Sequence, residues 1–540
     1  MKRPSFDNES TYKGFLESGR EQEFDELFDS AAESARALFH AKHPIHIGQN
    51  ELFTEQKLIQ RSPVDGSIMG EFQRAGREHA RLALEEANSA FEQWRDTEYG
   101  ERAMIFRKAA DLLSKRKFET AAILSYENGK SRYESMGEVD EGIDFMRYYA
   151  NEIELNRGYI RRSSSHGAKR VASRGFQGAP GAGERVRIAL LPYGVFAVIA
   201  PFNFPVSISI GMSTGALITG NTVVFKPSSS DNPTMLTGLK IYELLRDSGI
   251  PPGVFNYLTG PGSILVDEML RSPLLKGVAF TGSRAVGTAL AGKSLSYGYT
   301  RQFITEMSGK NPAIVAKGAD LDAAADGIAS AAFGYAGQKC SALSRLYVHE
   351  SIKEELIAKL IERARNMRIG NPLSKEVYMG PLIGEGAYSK YVDAISKARA
   401  SARVLYGGNA VKTGLNGFYV EPAIIEAKHD SELVRNELFL PMLTIESFSD
   451  LGEAIRLAND TEFGLTAGFY GRGKKDREAF AKGIEAGVVY INRRSSATTG
   501  AIVGLHTFVG WKGSSMTGKG TGSKHYLQQF MREQSLSIPG

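Results

Sequence analysis

The chain has 540 residues, 42% hydrophobic and 24% charged, which leaves room for two large or three average domains with ordinary cores. Its net charge of +5, from 66 basic against 61 acidic residues, is too dilute to require a nucleic-acid partner. One cysteine, Cys340, excludes an intrachain disulfide and a cysteine-rich zinc site, and fits a reducing, cytoplasmic setting.

The opening run MKRPSFDNESTYKGFLESGREQEFDELF is polar and acid-rich, unlike a signal or transit peptide. A charged helix is expected over 21–39. A surface connector follows, in which Pro44 keeps His40, His43 and His46 off one helical face, so no metal site is read there. Residues 77–149 are helical in spacing, with Leu84, Ala87, Phe91 and Trp94 among the apolar positions. A Gly/Ser-rich stretch over 158–184 interrupts this pattern. It holds most of the densest basic run (Arg161, Arg162, Lys169, Arg170, Arg174), which reads as a solvated loop. Residues 194–225 carry no charge and are long enough for a membrane span. Pro201, Asn203, Pro205 and the Gly220-Asn221 pair break them into a buried strand, loop, helix and strand, so no membrane is implied. Beyond, the strands VVF, VFNYLTG and GVAFTG alternate with the helices TMLTGLKIYELLRDSG and SILVDEMLRSP. That alternation predicts a doubly wound parallel sheet, which binds ligands at the carboxyl ends of its strands. A second α/β stretch is expected over 310–492, with PAIVAK and RLYVHE as strands. The tail from Gly510 shows no core face.

Several side chains could carry chemistry. Lys226 follows the VVF strand, where a cation can meet ribose hydroxyls or phosphate, or simply end a strand at the surface. In GVAFTGSRAVG, Gly282 and Gly287 bracket a strand-to-helix turn. Ser283 reads equally as a helix cap and as part of a phosphate site. Cys340, in GYAGQKCSALSR, reads equally as a nucleophile and as a structural thiol, and Lys339 is a candidate source of activating positive potential. Glu306 is structural or, beside a nucleophile, a general base. Asn203, stiffened between two prolines, is a candidate oxyanion donor.

In this order the pieces APFNFP, GNTVVFKPS, GVAFTGSRAVG, TEMSGKNP, GQKCSA, NELFLP and ANDTEFGLTAGFY resemble the aldehyde dehydrogenases over residues 45–530. The resemblance implies an α/β fold of two doubly wound Rossmann-like domains plus a small β oligomerisation element. It divides the chain into a helical extension (1–44), a dinucleotide-binding domain (45–157 and 193–308), a catalytic domain (309–509) and the oligomerisation element (158–192 and 510–540). It implies NAD or NADP as cofactor, an aldehyde as substrate, and a homodimer or larger homo-oligomer.

The resemblance also assigns roles. Cys340 is the nucleophile, Glu306 the base for the deacylating water, and Asn203 with the Cys340 backbone N–H the oxyanion hole. Lys226, Ser229, Ser283, Gly282, Gly287, Pro201, Glu437 and Phe439 line the nucleotide, Lys226 at the adenosine ribose and Glu437 at the nicotinamide ribose. The cysteine would form a thiohemiacetal, pass a hydride to the nicotinamide and leave a thioester for hydrolysis. Ser229 stands where NAD-preferring relatives often have Glu, so NADP is expected to be tolerated. GYAGQKCSALSR, EGIDFMRYYA and NRRSSATTGAIVG further resemble the L-glutamate γ-semialdehyde (1-pyrroline-5-carboxylate) dehydrogenases. That likeness implies that Lys339, Ser341, Phe204, Gly500 and Ala501 hold the amino-acid end of the substrate. The run LHTFVGWKGSS departs from that family's PFGG-like sequence. The rival readings are another semialdehyde dehydrogenase, for example for succinate semialdehyde, then a cysteine hydrolase, then a noncatalytic nucleotide-binding protein.

Overall fold

The computed structural model describes residues 6–163, 185–229 and 233–538. Two seven-stranded sheets dominate it. In the first, the order is Gln302–Met307, Leu275–Gly282, Val195–Ile199, Thr222–Lys226, Phe255–Tyr257, Ile45–Ile47, Asn50–Leu52. The first five run parallel and the last two close an antiparallel edge. The central strands VFAVI and TVVFK are buried at every position, as strands covered on both faces must be. The uncharged run over 194–225 therefore resolves into strand, loop, the fully buried helix Ser207–Ile218, and strand, as expected. Among the described residues no helix is long and apolar enough to cross a membrane.

The second sheet orders Arg403–Tyr406, Ala423–Glu426, Met442–Phe448, Leu343–His349, Asn311–Val315, Thr466–Tyr470 and Val488–Ile491, parallel except at its first pair. A third, antiparallel sheet joins Met531–Ile538, Arg185–Pro192 and Ile160–Ser163. Lys169, Arg170 and Arg174 of the basic run lie outside the described residues.

Three expectations change. The N-terminal helix ends at Arg36, and another helix, Thr11–Glu17, precedes it. The connector after it is not a surface loop. It forms the strands Ala41–His43 and Ile45–Ile47, and His46 is buried with its ring stacked on Tyr242 at 4.2 Å. The tail does have a core face. Tyr526, Leu527 and Phe530 sit in the largest apolar cluster, with Phe530 5.2 Å from the Phe196 ring and Tyr526 stacked on Tyr149 at 5.4 Å. Their spacing, in a short 3₁₀ turn before a strand, matches neither helical nor strand period, so the sequence pattern hid them.

Candidate active site

Three loops meet around Cys340. The cysteine follows the turn Gly334–Gly337, where Tyr335 and Ala336 are held at φ of 50° and 51°. Side-chain-bearing residues reach this left-handed region only when their surroundings hold them there. Gly337 also has positive φ, and a Cβ there would collide with the Leu440 carbonyl of the NELFLP loop. The TEMSGKNP loop closes the other side. A Cβ at Gly309 would strike the Cys340 carbonyl oxygen, and Asn311 Nδ2 donates to the carbonyls of Cys340 and Ala342, each at 2.8 Å. Gly309 and Asn311 thus explain that motif: one permits the approach and the other fastens it.

Asn203 lies in the loop between Val195–Ile199 and Ser207–Ile218. It is buried, and its Nδ2 donates to the Gln338 carbonyl at 3.2 Å, two residues before Cys340. Below it, Glu138 Oε1 accepts the backbone N–H groups of Val206 (2.7 Å) and Ser207 (3.2 Å). Glu138 is ion-paired to the fully buried Lys130, whose ammonium stands 3.4 Å from the Phe204 ring centre and 4.9 Å from that of Tyr335. This pair ties the Asn203 loop to the cysteine turn. Neither residue stands in a motif of the sequence, and only the pairing across eight positions reveals them.

Cys340 is half-buried. Burial, then the carboxylates of Glu437 and Glu306, push its thiol up to about 12. Lys339 does not offset them. Its ammonium pairs with Glu134 at 2.5 Å, so the local activation expected of it is corrected. Glu306 closes the strand Gln302–Met307, and burial raises its carboxyl well above the usual range. Its Oε2 finds no hydrogen-bond partner among the described residues. Glu437 is raised by burial and accepts the Gly309 N–H at 2.8 Å. Nearby Lys310, buried and beside Arg345, is lowered to about 7 against the pull of Glu437. Phe439, at φ 62°, meets Phe202 edge-on at 5.9 Å.

A second pocket of chemistry lies at the carboxyl end of Thr222–Lys226. Lys226 is buried, and burial lowers its amine to about 8. Its Nζ donates to the Pro227 carbonyl (3.1 Å) and to Ser229 Oγ (3.3 Å). Ser229 in turn bonds both backbone groups of Gly260, which fastens the turn before the helix Gly262–Arg271. A buried amine whose partners are all neutral suits further neutral or anionic oxygens such as ribose hydroxyls or phosphate. Ser283 caps the helix Arg284–Ser296, accepting the Val286 N–H at 3.3 Å, so the structure realises the capping alternative. Gly287 is a packing glycine, since a Cβ there would strike Met307 and Phe280. Gly282 likewise faces the Phe280 ring, and Pro201 stands just past the strand Val195–Ile199.

The third constellation is the turn at Gly500 (φ 79°) and Ala501. Arg493 grips the carbonyls of Thr499 (3.1 Å) and Gly500 (2.8 Å), while Thr498 Oγ1 donates to the Ser341 carbonyl at 2.7 Å. The turn is therefore fastened directly to the residue after the cysteine. Thr498 was missed in the sequence, although it stands inside the quoted NRRSSATTGAIVG. Downstream, Trp511–Lys512 pairs with Phe463–Gly464, and Phe508 bridges to Thr521. Among the described residues no group of three or more His, Cys, Asp or Glu side chains could hold a metal ion.

The sequence model described as "Aldehyde dehydrogenase family" matches residues 53–536. The 1-pyrroline-5-carboxylate dehydrogenase 1 of Halalkalibacterium halodurans is 34% identical over 503 residues, covering 92% of this chain and 93% of that one. A 1-pyrroline-5-carboxylate dehydrogenase from Thermus with bound NAD superposes with a TM-score of 0.90 at 30% identity, covering all of both chains. Proline utilization A from Bdellovibrio bacteriovorus gives the same TM-score at 31% identity, and there the chain spans 54% of the longer protein.

Proposed function

The chain belongs to the aldehyde dehydrogenase family, and on that premise we propose that it oxidises L-glutamate γ-semialdehyde, the open form of 1-pyrroline-5-carboxylate, to L-glutamate with NAD or NADP, a step of proline catabolism. The observation that carries the substrate is the junction of Thr498 with Ser341. It fastens the turn at Gly500 and Ala501, whose backbone N–H groups are the proposed donors, to the residue after Cys340. Such donors suit an α-carboxylate. The Lys339–Glu134 pair beside the cysteine adds one group of each sign, which suits a zwitterionic end better than the lone carboxylate of succinate semialdehyde.

In this reading Cys340 attacks the aldehyde carbon, and Asn203 Nδ2 and the Cys340 N–H donate to the oxyanion. Asn203 already points at the cysteine turn through Gln338. The nicotinamide nucleotide, when bound, supplies the hydride acceptor. A thioester on Cys340 remains, and Glu306 takes a proton from the water that hydrolyses it. Lys226 and Glu437 would hold the two riboses, and Phe439 would border the nicotinamide. Because Ser229 leaves no carboxylate beside Lys226, a 2′-phosphate meets no repulsion there.

We assign nucleotide binding to the first sheet and nucleophile and substrate turn to the second, with residues 526–531 belonging to the first core. A homodimer or larger assembly is proposed through the three-stranded sheet, whose outer strands Met531–Ile538 and Ile160–Ser163 leave edges open to another chain among the described residues. A cytoplasmic setting completes the reading.

The test is formation of reduced nucleotide from glutamate semialdehyde, with NAD and NADP in parallel, succinate semialdehyde and an aliphatic aldehyde as comparators, and Cys340→Ala as control. Preference for glutamate semialdehyde, lost in the variant, is expected. Faster turnover of another aldehyde would discard the substrate, and activity in Cys340→Ala would discard the nucleophile.

A further inference from the structure

Residues 6–11 lie outside the part of the chain that matches the family, yet they reach the substrate turn. The side-chain amide of Asn8 donates to the Val503 carbonyl at 3.1 Å and to Asp144 Oδ2 at 2.8 Å. Asp144 Oδ1 accepts the Glu9 N–H at 2.7 Å. One turn earlier on the helix Arg132–Leu155, Asp140 accepts both the N–H and the hydroxyl of Thr11, each at 2.7 Å. Glu9 is anchored separately by Lys117 at 3.0 Å and Arg147 at 2.6 Å. The Phe6 ring packs edge-on to Tyr148 at 5.4 Å. The two rings together close over Gly504, where a Cβ would stand 3.1 Å from each. Val503 is buried, and Gly504 has φ 78°.

Val503 and Gly504 stand two and three residues after Ala501. The turn at Gly500 and Ala501 is thus held from both sides. On one side Thr498 fastens it to Ser341, and on the other Asn8 and Phe6 fasten its exit to a helix that the short N-terminal segment grips with four further hydrogen bonds. Gly504 N–H also donates to the Gly522 carbonyl at 3.1 Å and Val503 packs in the largest apolar cluster, so the N-terminal segment adds to the holds that carry the position of Val503 back to the turn from this side. Four carboxyl-directed bonds tie these six residues down.

We propose that residues 6–11 are a specificity strap, with Asn8 and Phe6 as positioning residues that set the distance between the Gly500 and Ala501 donors and Cys340. The proposal rests on the reading that this turn holds the amino-acid end of the substrate. It follows that the strap acts on aldehydes that reach the turn and not on those too short to do so.

The experiment uses the full-length protein with Asn8→Ala, Phe6→Leu and Gly500→Ala, and measures kcat and KM for glutamate semialdehyde and for propanal. Asn8→Ala is expected to raise KM for glutamate semialdehyde about tenfold, the equivalent of one lost hydrogen bond, and Phe6→Leu to raise it about threefold. In both, kcat and the propanal constants stay at wild-type values. A purely structural role would move both aldehydes together, or melting temperature alone, and either result overturns the strap. Gly500→Ala, strained at positive φ, separates the two readings. If it weakens glutamate semialdehyde and the two strap variants do not, the strap fails and the anchor turn stands. If wild type itself does not discriminate the two aldehydes, the anchor reading and the strap fall together.

Discussion

Cys340 and Lys226 make an instructive pair. Each is a titratable group packed near the meeting of strands and loops, and burial drives each toward its neutral form, the thiol up to about 12 and the amine down to about 8. Their neighbours differ. Around the thiol stand two carboxylates, Glu437 and Glu306, which add to the effect of burial, whereas around the amine stand carbonyls and a hydroxyl, which neither add nor subtract charge. The thiol site is therefore built to resist ionisation until its surroundings change, and burial raises the Glu306 carboxyl beside it as well. The amine site stays close to the charged state at neutral pH and waits for an oxygen ligand. The difference teaches that the thiol is controlled by like-signed neighbours and the amine by their absence.

Each side of this comparison can be broken by substitution. The largest effect is expected for Glu306→Gln, which removes the carboxylate proposed to activate the water. Steady-state kcat falls about 10²–10⁴-fold, while the first turnover still releases a burst of reduced nucleotide. Rapid mixing reads this, and loss of the burst along with the steady state would place Glu306 in an earlier step. Asn203→Ala removes the proposed oxyanion donor and should lower kcat about 10²–10³-fold, with alkylation of Cys340 by iodoacetamide unaffected. An unchanged kcat would remove Asn203 from the chemistry.

Glu437→Gln probes the thiol's electrostatics. In the wild-type protein without nucleotide, iodoacetamide alkylation should keep rising to pH 10 without a plateau, because a thiol at about 12 is still mostly protonated there. The variant should alkylate about tenfold faster at a given pH, the equivalent of one pKa unit. Equal rates would mean that burial alone sets the thiol. The smallest effect belongs to Lys226. Its folded pKa lies below its unfolded one, so the cation is present below about 8 and is lost as pH rises through that value. KM for NADP should rise roughly fivefold between pH 7 and 9, less than the loss of charge because a neutral amine still donates one hydrogen bond. KM for NAD should rise less, and Lys226→Met should flatten both profiles. A slope that persists in the variant would move the titration to another group.

Much of the site could be read in the chain because the chemistry sits where strands end. The motifs around Asn203, Lys226 and Glu306 each follow or close an apolar strand, Cys340 follows a turn and precedes the strand Leu343–His349, and the structure brings Asn203, Glu306, Glu437 and Cys340 together. What the sequence misjudged has one physical origin, side chains meeting across long separations. Lys339 looked like a free cation beside the thiol, yet Glu134, 205 positions away, neutralises it. Ser283, which the sequence left open between a phosphate site and a cap, differs, because its hydroxyl accepts a local N–H, that of Val286.

The sequence by itself determined the two alternating α/β halves and the buried uncharged run. Apolar periodicity and residues at strand ends are local properties that survive without a partner. Only the tertiary structure decided the electrostatics around Cys340, the burial of His46, the use of Tyr526 and Phe530 as core, and the grip of residues 6–11 on the chain after Gly500 and Ala501. These depend on which distant groups share a low-dielectric space, and neither composition nor spacing encodes that proximity.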